Sequence, residues 1–440
     1  MPYWGIAAEA VNSGHLADAM LLRALVSPAA RYQIIPVRMF DFCDESEWDT
    51  YHASKAEISS TFMAARGLGT SYSAKCIQMN HGGDGTATVS LTRDFDPVID
   101  LSAAQHIEFA YYLPDPANAW AIGELCIRLR DSTGKLREWR AYNNGVEGTE
   151  VFNTAHISWN RWTGTVTEYQ DEDAGFDISD VDRVYIDMKT FPPYTSTPYA
   201  YLGRLMFFKS PLSKGLVIVG FDGSYDSQLD AAAYLAAHGM RATFYTQYNR
   251  IGTSGRLTVE QLKRMKQMGH VLGIYPGVLE GGAGNWGEQT FAQKLSVLAR
   301  DCRGLFDYGV PIEGLTHMSA PTGNMRADDV ELLRGGYVSS LAGLTGHSQA
   351  RTNFSPIEPR LLPASANTSD GHAYRAARLA NAITDKAVSF WIYHEVTGGA
   401  GNVPWEFFED DVGSLATERD AGNIEVVTPV DLLLGRVPLA

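Results

Sequence analysis

The residues of this chain best placed to do chemistry stand at the ends of apolar runs. Val217-Ile218-Val219-Gly220-Phe221-Asp222 is β-branched and aromatic, ends on a carboxylate, and breaks at Gly223-Ser224. Such a run predicts a buried strand that delivers an acidic side chain to its C-terminal end. Phe390-Trp391-Ile392-Tyr393-His394-Glu395 is a second run of this kind, ending on an imidazole ahead of the loop Gly398-Gly399-Ala400-Gly401. An Asp and a His at the open ends of parallel strands are the residue types of general acid–base catalysis. Asp222 and His394 are therefore candidate catalytic residues. The bland alternatives are a helix cap for Asp222 and a hydrogen-bonded core histidine for His394. Asp226, closer to the Gln228–His238 run, is the better expected cap.

His317 and Ser319 are two residues apart, so on a strand they share a face. His317 is a candidate substrate-binding residue, with a core or surface role equally open. Trp286, Trp391 and Trp405 are of the type that stacks on sugar rings, although isolated tryptophans more often pack in cores. Gly281-Gly282-Ala283-Gly284-Asn285 is not followed by Lys-Ser/Thr, which argues against a phosphate loop. The four cysteines form no Cys-x-x-Cys pair and read as buried free thiols. No metal-ligand spacing stands out, and no metal or cofactor is expected; a site built from Asp222, His317 and His394 is the alternative.

The elements that must hold these residues fall into three zones. From 211 to 440, strand-like stretches such as Ala242–Thr246, His270–Ile274 and Ile424–Val427 alternate with helix-like ones such as Asp226–His238, Val259–Met268 and Glu288–Phe306. That alternation predicts a parallel α/β unit. Thr258 with Gln261 makes a capping box, and Gly269 is placed to end the same helix. From 42 to 210 short strands with period-two patterning, among them His106–Tyr112 and Leu125–Arg130, alternate with Gly/Asn/Asp turns. This predicts a β-sandwich of the jelly-roll kind. Residues 1–41 are too few for a core and read as an attachment or oligomerisation segment. Ser210–Gly215 is the expected linker between the two larger zones.

The 440 residues carry a net charge of −15 with no runs of Lys or Arg, which argues against nucleic acid as a partner. No apolar stretch approaches a membrane span, and the N-terminus lacks the basic n-region of a signal peptide.

Phe221-Asp222-Gly223-Ser224 resembles the first motif, Thr-Phe-Asp-Asp-Gly, of the polysaccharide deacetylase (NodB-like) family. The resemblance extends over most of 211–440. Gly269-His270-Val271-Leu272-Gly273 resembles the strand that leads to the second motif. Ala320-Pro321-Thr322-Gly323 resembles the Arg-x-Pro-x-Gly motif, with Ser319 in place of its Arg. Phe390 to Glu395 resembles the late strand that ends on the general-acid His. The resemblance implies a distorted (β/α) barrel, Asp222 as base and His394 as acid. It also implies a metal held by an Asp and two His, and those positions are here Gly223, Tyr275 and Leu279. Tyr275 becomes a third catalytic candidate. The 42–210 zone loosely resembles carbohydrate-binding jelly rolls, through Ser73-Ala74-Lys75, Trp159-Asn160 and the strand at Tyr201.

Three functional readings follow. In the first, a polysaccharide acyl group is hydrolysed without metal by Asp222 and His394, with backbone N–H groups near Gly223 and Ser224 taking the oxyanion. In the second, a lyase or glycosidase cuts the glycan itself. Tyr275 and His394 would then be base and acid, with Arg326 or Arg351 neutralising a uronate, or Asp222 would pair with another carboxylate. In the third, the domain only binds glycan. The partner expected throughout is a bacterial surface poly- or oligosaccharide. A glycan-directed chain without a signal peptide suits a phage tail depolymerase, attached to a virion or to sister subunits; a cytoplasmic protein is the alternative.

Overall fold

The computed structural model describes residues 35–42, 44–51, 53–58, 76–81, 88–112, 122–143, 160–169, 171–190, 198–277, 286, 289–310, 317–319, 339–343, 353–354, 361–364, 371–397, 403–433 and 435–440. They divide into two compact units between Ser210 and Pro211. No helix among them is long and apolar enough to cross a membrane.

The first unit is a sandwich of two antiparallel sheets. Its strands are β1 (Ile35–Asp41), β2 (Asp49–Tyr51), β3 (Ala53–Ile58), β4 (Cys76–His81), β5 (Thr88–Ile99), β6 (His106–Tyr112), β7 (Ile122–Asp131), β8 (Leu136–Asn143), β9 (Asn160–Thr165), β10 (Asp171–Glu172), β11 (Val181–Thr190) and β12 (Tyr199–Lys209). One sheet runs β3-β4-β12-β6-β9 with β1 also on β12, and the other runs β10-β8-β7-β11-β5-β2. The expected attachment segment, 1–41, includes Ile35–Asp41, yet that stretch pairs along β12 and belongs to the sandwich. Residues 1–34, Ser73–Lys75 and Trp159 lie outside the described ones.

Alternation builds the core. Val184, Ile186 and Met188 of β11 and Leu125, Ile127 and Leu129 of β7 meet Phe109, Leu205 and Phe207 of the other sheet in one buried cluster. Each such side chain stabilises the fold by about 1.5–3 kcal/mol. The intervening residues put a charged lattice on the opposite face. There Lys189 Nζ lies 2.9 Å from Glu124, Arg140 lies 3.5 Å from Glu124 and 3.3 Å from Glu138, and Arg128 pairs with Asp187.

The second unit alternates strand and helix: β13 (Gly215–Asp222), α1 (Gln228–Ala237), β14 (Thr243–Thr246), α2 (Val259–Gln267), β15 (Val271–Ile274), α3 (Phe291–Asp307), β16 (His317–Ser319), β17 (Ser339–Gly343), β18 (Asn353–Phe354), β19 (Leu361–Ala364), α4 (Gly371–Asp385), β20 (Val388–Tyr393), α5 (Trp405–Asp420), β21 (Ile424–Val427) and α6 (Pro429–Leu433). The sheet order is β18-β20-β13-β14-β15-β16-β17-β19, with β21 also on β13. All its pairs are parallel except β18 with β20.

The local signals act as expected at α2. Thr258 Oγ1 accepts from the Gln261 N–H, Gln261 Oε1 accepts from the Thr258 N–H, and Gly269 has φ +92°. At α1 the expectation is corrected: the N-cap position is Ser227, not Asp226, and its side chain makes no capping bond.

The sheet has two unlike faces. Val217, Val219, Phe221, Phe244, Leu272, Ile274, Trp391 and Tyr393 pack with Leu235, Leu262, Leu298, Phe408 and Leu415 of the helices. The alternate residues (Ile218, Gly220, Asp222, Tyr245, Gly273, His317, Ser319, Phe390 and Ile392) point to the other face. That face is concave. Asp222 and Ser319 are three strand positions apart, about 14 Å on a flat sheet, yet their side chains are 2.8 Å apart. At the sheet's ends, β19 comes within 8 Å of β18 and β20, so the sheet curls towards closure.

Candidate active site

The concave face collects its polar groups at the C-terminal ends of the parallel strands, where α/β sheets place their chemistry. Asp222 ends β13, His394 follows β20 and Ser319 ends β16. Asp222 is 7% exposed. Its Oδ2 accepts from Ser319 Oγ at 2.8 Å and lies 4.0 Å from His394 Nε2. Its Oδ1 is buried without a hydrogen-bond partner. Burial pushes the Asp222 carboxyl up to about 7, and the Ser319 hydroxyl only partly counters it. A neutral hydroxyl stabilises a carboxylate far less than a guanidinium would. His394 keeps 41% of its side-chain surface, and burial of the rest holds its pKa below the ordinary imidazole value. Near pH 7 the Asp222 carboxyl therefore stands between its two protonation states, while the imidazole beside it is mainly neutral. A protonated Asp222 is an acid and a neutral His394 a base, the opposite of the roles that the family resemblance implies.

Deeper in the same face, Asp222, Tyr245, Gly273 and His317 form one lateral row across four strands. Gly273 makes room for the Tyr245 ring, since a Cβ there would come within 2.8 Å of it. The ring crosses that gap, and Tyr245 Oη lies 2.8 Å from His317 Nδ1. His317 is fully buried, its Nε2 has no hydrogen-bond partner, and burial depresses its pKa to about 3. It is a neutral core imidazole on the site's inner wall, too deep for the substrate contact expected of it. Tyr275, half-buried, follows β15, and its backbone N–H donates to Thr246 O at 3.0 Å.

The turn after Asp222 is tightly held. Gly223 and Ser224 have φ +90° and +60°. Arg256 donates to the Gly223 carbonyl at 2.6 Å while stacking 3.7 Å from the Tyr225 ring centroid. Ser224 Oγ accepts from the Gln247 N–H at 2.7 Å.

The metal implied by the resemblance does not fit these residues. Gly223 offers no donor, and a Cβ there would come within 2.6 Å of Tyr225. Tyr275 offers a phenol in place of an imidazole, and Leu279, outside the described residues, has no donor atom. Asp222, His317 and His394 do not bring three ligand atoms together. Among the described residues only Glu124, Cys126 and Glu138 do so, in the sandwich. There Lys189 and Arg140 already neutralise the carboxylates, and burial keeps the thiol protonated.

The tryptophans are not open platforms. Trp286 is 2% and Trp391 1% exposed. Trp391 sits on the helix side, at the floor of a groove of about 750 Å³ between α4 and α5. Trp405 packs edge-on to Tyr234 at 5.6 Å. Burial corrects the sugar-stacking role expected of Trp286 and Trp391; Trp405 is only half-buried. Arg326 and Arg351 lie outside the described residues.

Tyr245 and Gln228 are site residues that the sequence does not single out. Tyr245 reaches from β14 over β15 to His317 of β16, and Gln228 reaches from α1 to the paired ends of β13 and β20. In strands buried on both faces, residue type does not reveal which side chains point inward.

No family model matches the chain, and no curated protein matches it. Among solved structures, it is similar to the family 11 carbohydrate-binding module from Clostridium thermocellum in complex with a β-1,3-1,4-mixed-linked tetrasaccharide (11% identity, 40% of this chain, 97% of that one, TM-score 0.27). It is also similar to the family 4 carbohydrate esterase from Streptomyces lividans in complex with acetate (12% identity, 50% of this chain, 95% of that one, TM-score 0.32). A third similar structure is the Bc1960 peptidoglycan N-acetylglucosamine deacetylase (14% identity, 50% of this chain, 88% of that one, TM-score 0.35). Likeness this faint says nothing of the chemistry.

Proposed function

We propose that the second unit is a polysaccharide deacetylase-like hydrolase that removes an acyl group from a bacterial surface glycan, with Asp222 and His394 as its proton-transfer pair. The observation that supports this is the buried Asp222, held by a single hydroxyl, 4.0 Å from an imidazole, where burial pushes its carboxyl up to about 7. Neutral His394, the more open of the two, takes a proton from water as its oxygen adds to the acyl carbon. The N–H groups of the Gly223–Ser224 turn receive the oxyanion. As the intermediate collapses, the bond from the acyl carbon to the leaving nitrogen or oxygen breaks. Protonated Asp222 supplies the leaving group's proton, and the acid is released. The proton on His394 then returns to Asp222. No metal enters the sequence.

The sandwich holds the glycan, and the N-terminal segment attaches the chain to a virion tail or to sister subunits. The test is product analysis on acetylated bacterial polysaccharides in the presence of chelator. Release of acetate with the chain length unchanged is expected. New reducing or unsaturated ends would replace this reading with chain cleavage, and binding without product would leave a glycan-binding protein. A chain starting at Pro211 should keep turnover and lose glycan affinity; unchanged affinity would remove the sandwich's role. Deleting residues 1–34 should abolish self-association or tail binding if that segment attaches the chain.

A further inference from the structure

One buried amide connects the two members of the pair. Gln228 is the first residue of α1 and is 0% exposed. Its Nε2 lies 2.7 Å from the Asp222 carbonyl and 2.7 Å from the His394 carbonyl. The β13–β20 pairing ends at Phe221 and Tyr393, so these are the first carbonyls beyond it. The two hydrogens of one NH₂ group bond them both, in place of the next rung. An oxygen turned towards two carbonyls would repel both, which fixes the orientation of the amide. That orientation leaves Gln228 Oε1 buried without a hydrogen-bond partner, a cost in stability.

We propose that Gln228 is a positioning residue that sets the separation of the Asp222 and His394 side chains by clamping their backbones together. Its consequence for turnover rests on the hydrolase reading above; the clamp itself is measurable without turnover. Leucine at 228 removes both bonds. Asparagine keeps the amide but is one methylene shorter and cannot span both carbonyls.

The test is the crystal structures of wild type and Q228L, with Q228N replacing Q228L should that variant fail to fold. The distance from Asp222 Oδ2 to His394 Nε2, 4.0 Å in the wild type, should grow by about 1 Å or more once both bonds are lost. An unchanged distance overturns the proposal, whatever the melting temperatures, since a helix anchor of purely structural role would leave the separation unchanged. On a turned-over substrate, Q228L should lower kcat by about 10-fold or more with KM little changed, the scale of a small misplacement of reacting groups. A separation that grows in a protein whose wild type shows no turnover keeps the clamp and removes the hydrolase reading. Turnover with the separation unchanged removes the clamp and keeps the hydrolase.

Discussion

Asp187 in the sandwich and Asp222 in the curled sheet are both buried strand aspartates, 0% and 7% exposed, and they are treated in opposite ways. Asp187 accepts from Ser90 Oγ at 2.5 Å and pairs with the Arg128 guanidinium. Asp222 has Ser319 and a neutral imidazole, and among the described residues no Lys or Arg pairs with it. The charged lattice around Asp187 matches every carboxylate to a cation and so holds shape. The row around Asp222 leaves Asp222 Oδ1 and His317 Nε2 without partners. Polar atoms left unmatched in a concave face are a liability in stability and a resource for chemistry.

Substitution on each side should separate the two kinds of aspartate. The largest effect expected is on turnover. Asp222→Asn and His394→Asn should each lower kcat by about 10²-fold or more, and the double variant should cost much less than the product of the two. Additive losses would show that the two do not act in one cycle. The second effect is on stability. The Asp222 carboxyl, raised from 3.8 to about 7, binds its proton more tightly folded than unfolded, so the wild type loses stability as pH rises from about 4 to 7. Asp222→Asn should therefore be more stable than wild type at pH 8, by up to about 4 kcal/mol. The gain should shrink to nothing near pH 4, as followed by urea unfolding. Arg128→Ala should do the reverse in the sandwich, costing about 2–3 kcal/mol while leaving kcat per folded molecule unchanged. That is below the range for a fully buried pair, because the guanidinium keeps 26% of its surface.

Smaller effects sharpen the site itself. Gly223→Asp restores the carboxylate of the family's first motif, but into φ +90° and against Tyr225. It should cost about 1–2 kcal/mol and bind no stoichiometric zinc by elemental analysis. Tyr245→Phe removes the partner of His317 Nδ1 and should cost about 1 kcal/mol; an unchanged melting temperature would show that this bond holds nothing.

Much of the second unit is legible before the structure. The Leu216–Phe221 and Ile424–Val427 runs are the strands β13 and β21 to within a residue, and the Thr258 box starts α2, because each signal is local. Asp222 and His394 are legible for the same reason, standing where apolar runs stop. β8 is not, because Arg137, Glu138 and Arg140 interrupt its apolar pattern, and they pair with Glu172, Lys189 and Glu124 of other strands. The Ser319 bond to Asp222 depends on the curl of the sheet, the reach of Tyr245 over Gly273 on a neighbouring strand, and the Gln228 clamp on the pairing of β13 with β20, none of which a local pattern encodes. Tryptophan identity likewise could not distinguish a sugar platform from a core, and burial decides for the core at Trp286 and Trp391.

The claim at the centre is that Asp222 is a buried, uncompensated carboxyl that exchanges its proton near neutrality. A ¹³C NMR titration of its carboxyl carbon, assigned by the signal missing from Asp222→Asn, tests it directly. A midpoint near 7 is expected, moving further up in Ser319→Ala as the hydroxyl is removed. A midpoint at or below 4, unmoved by Ser319→Ala, would mean that the carboxylate is ionised throughout and would contradict the account.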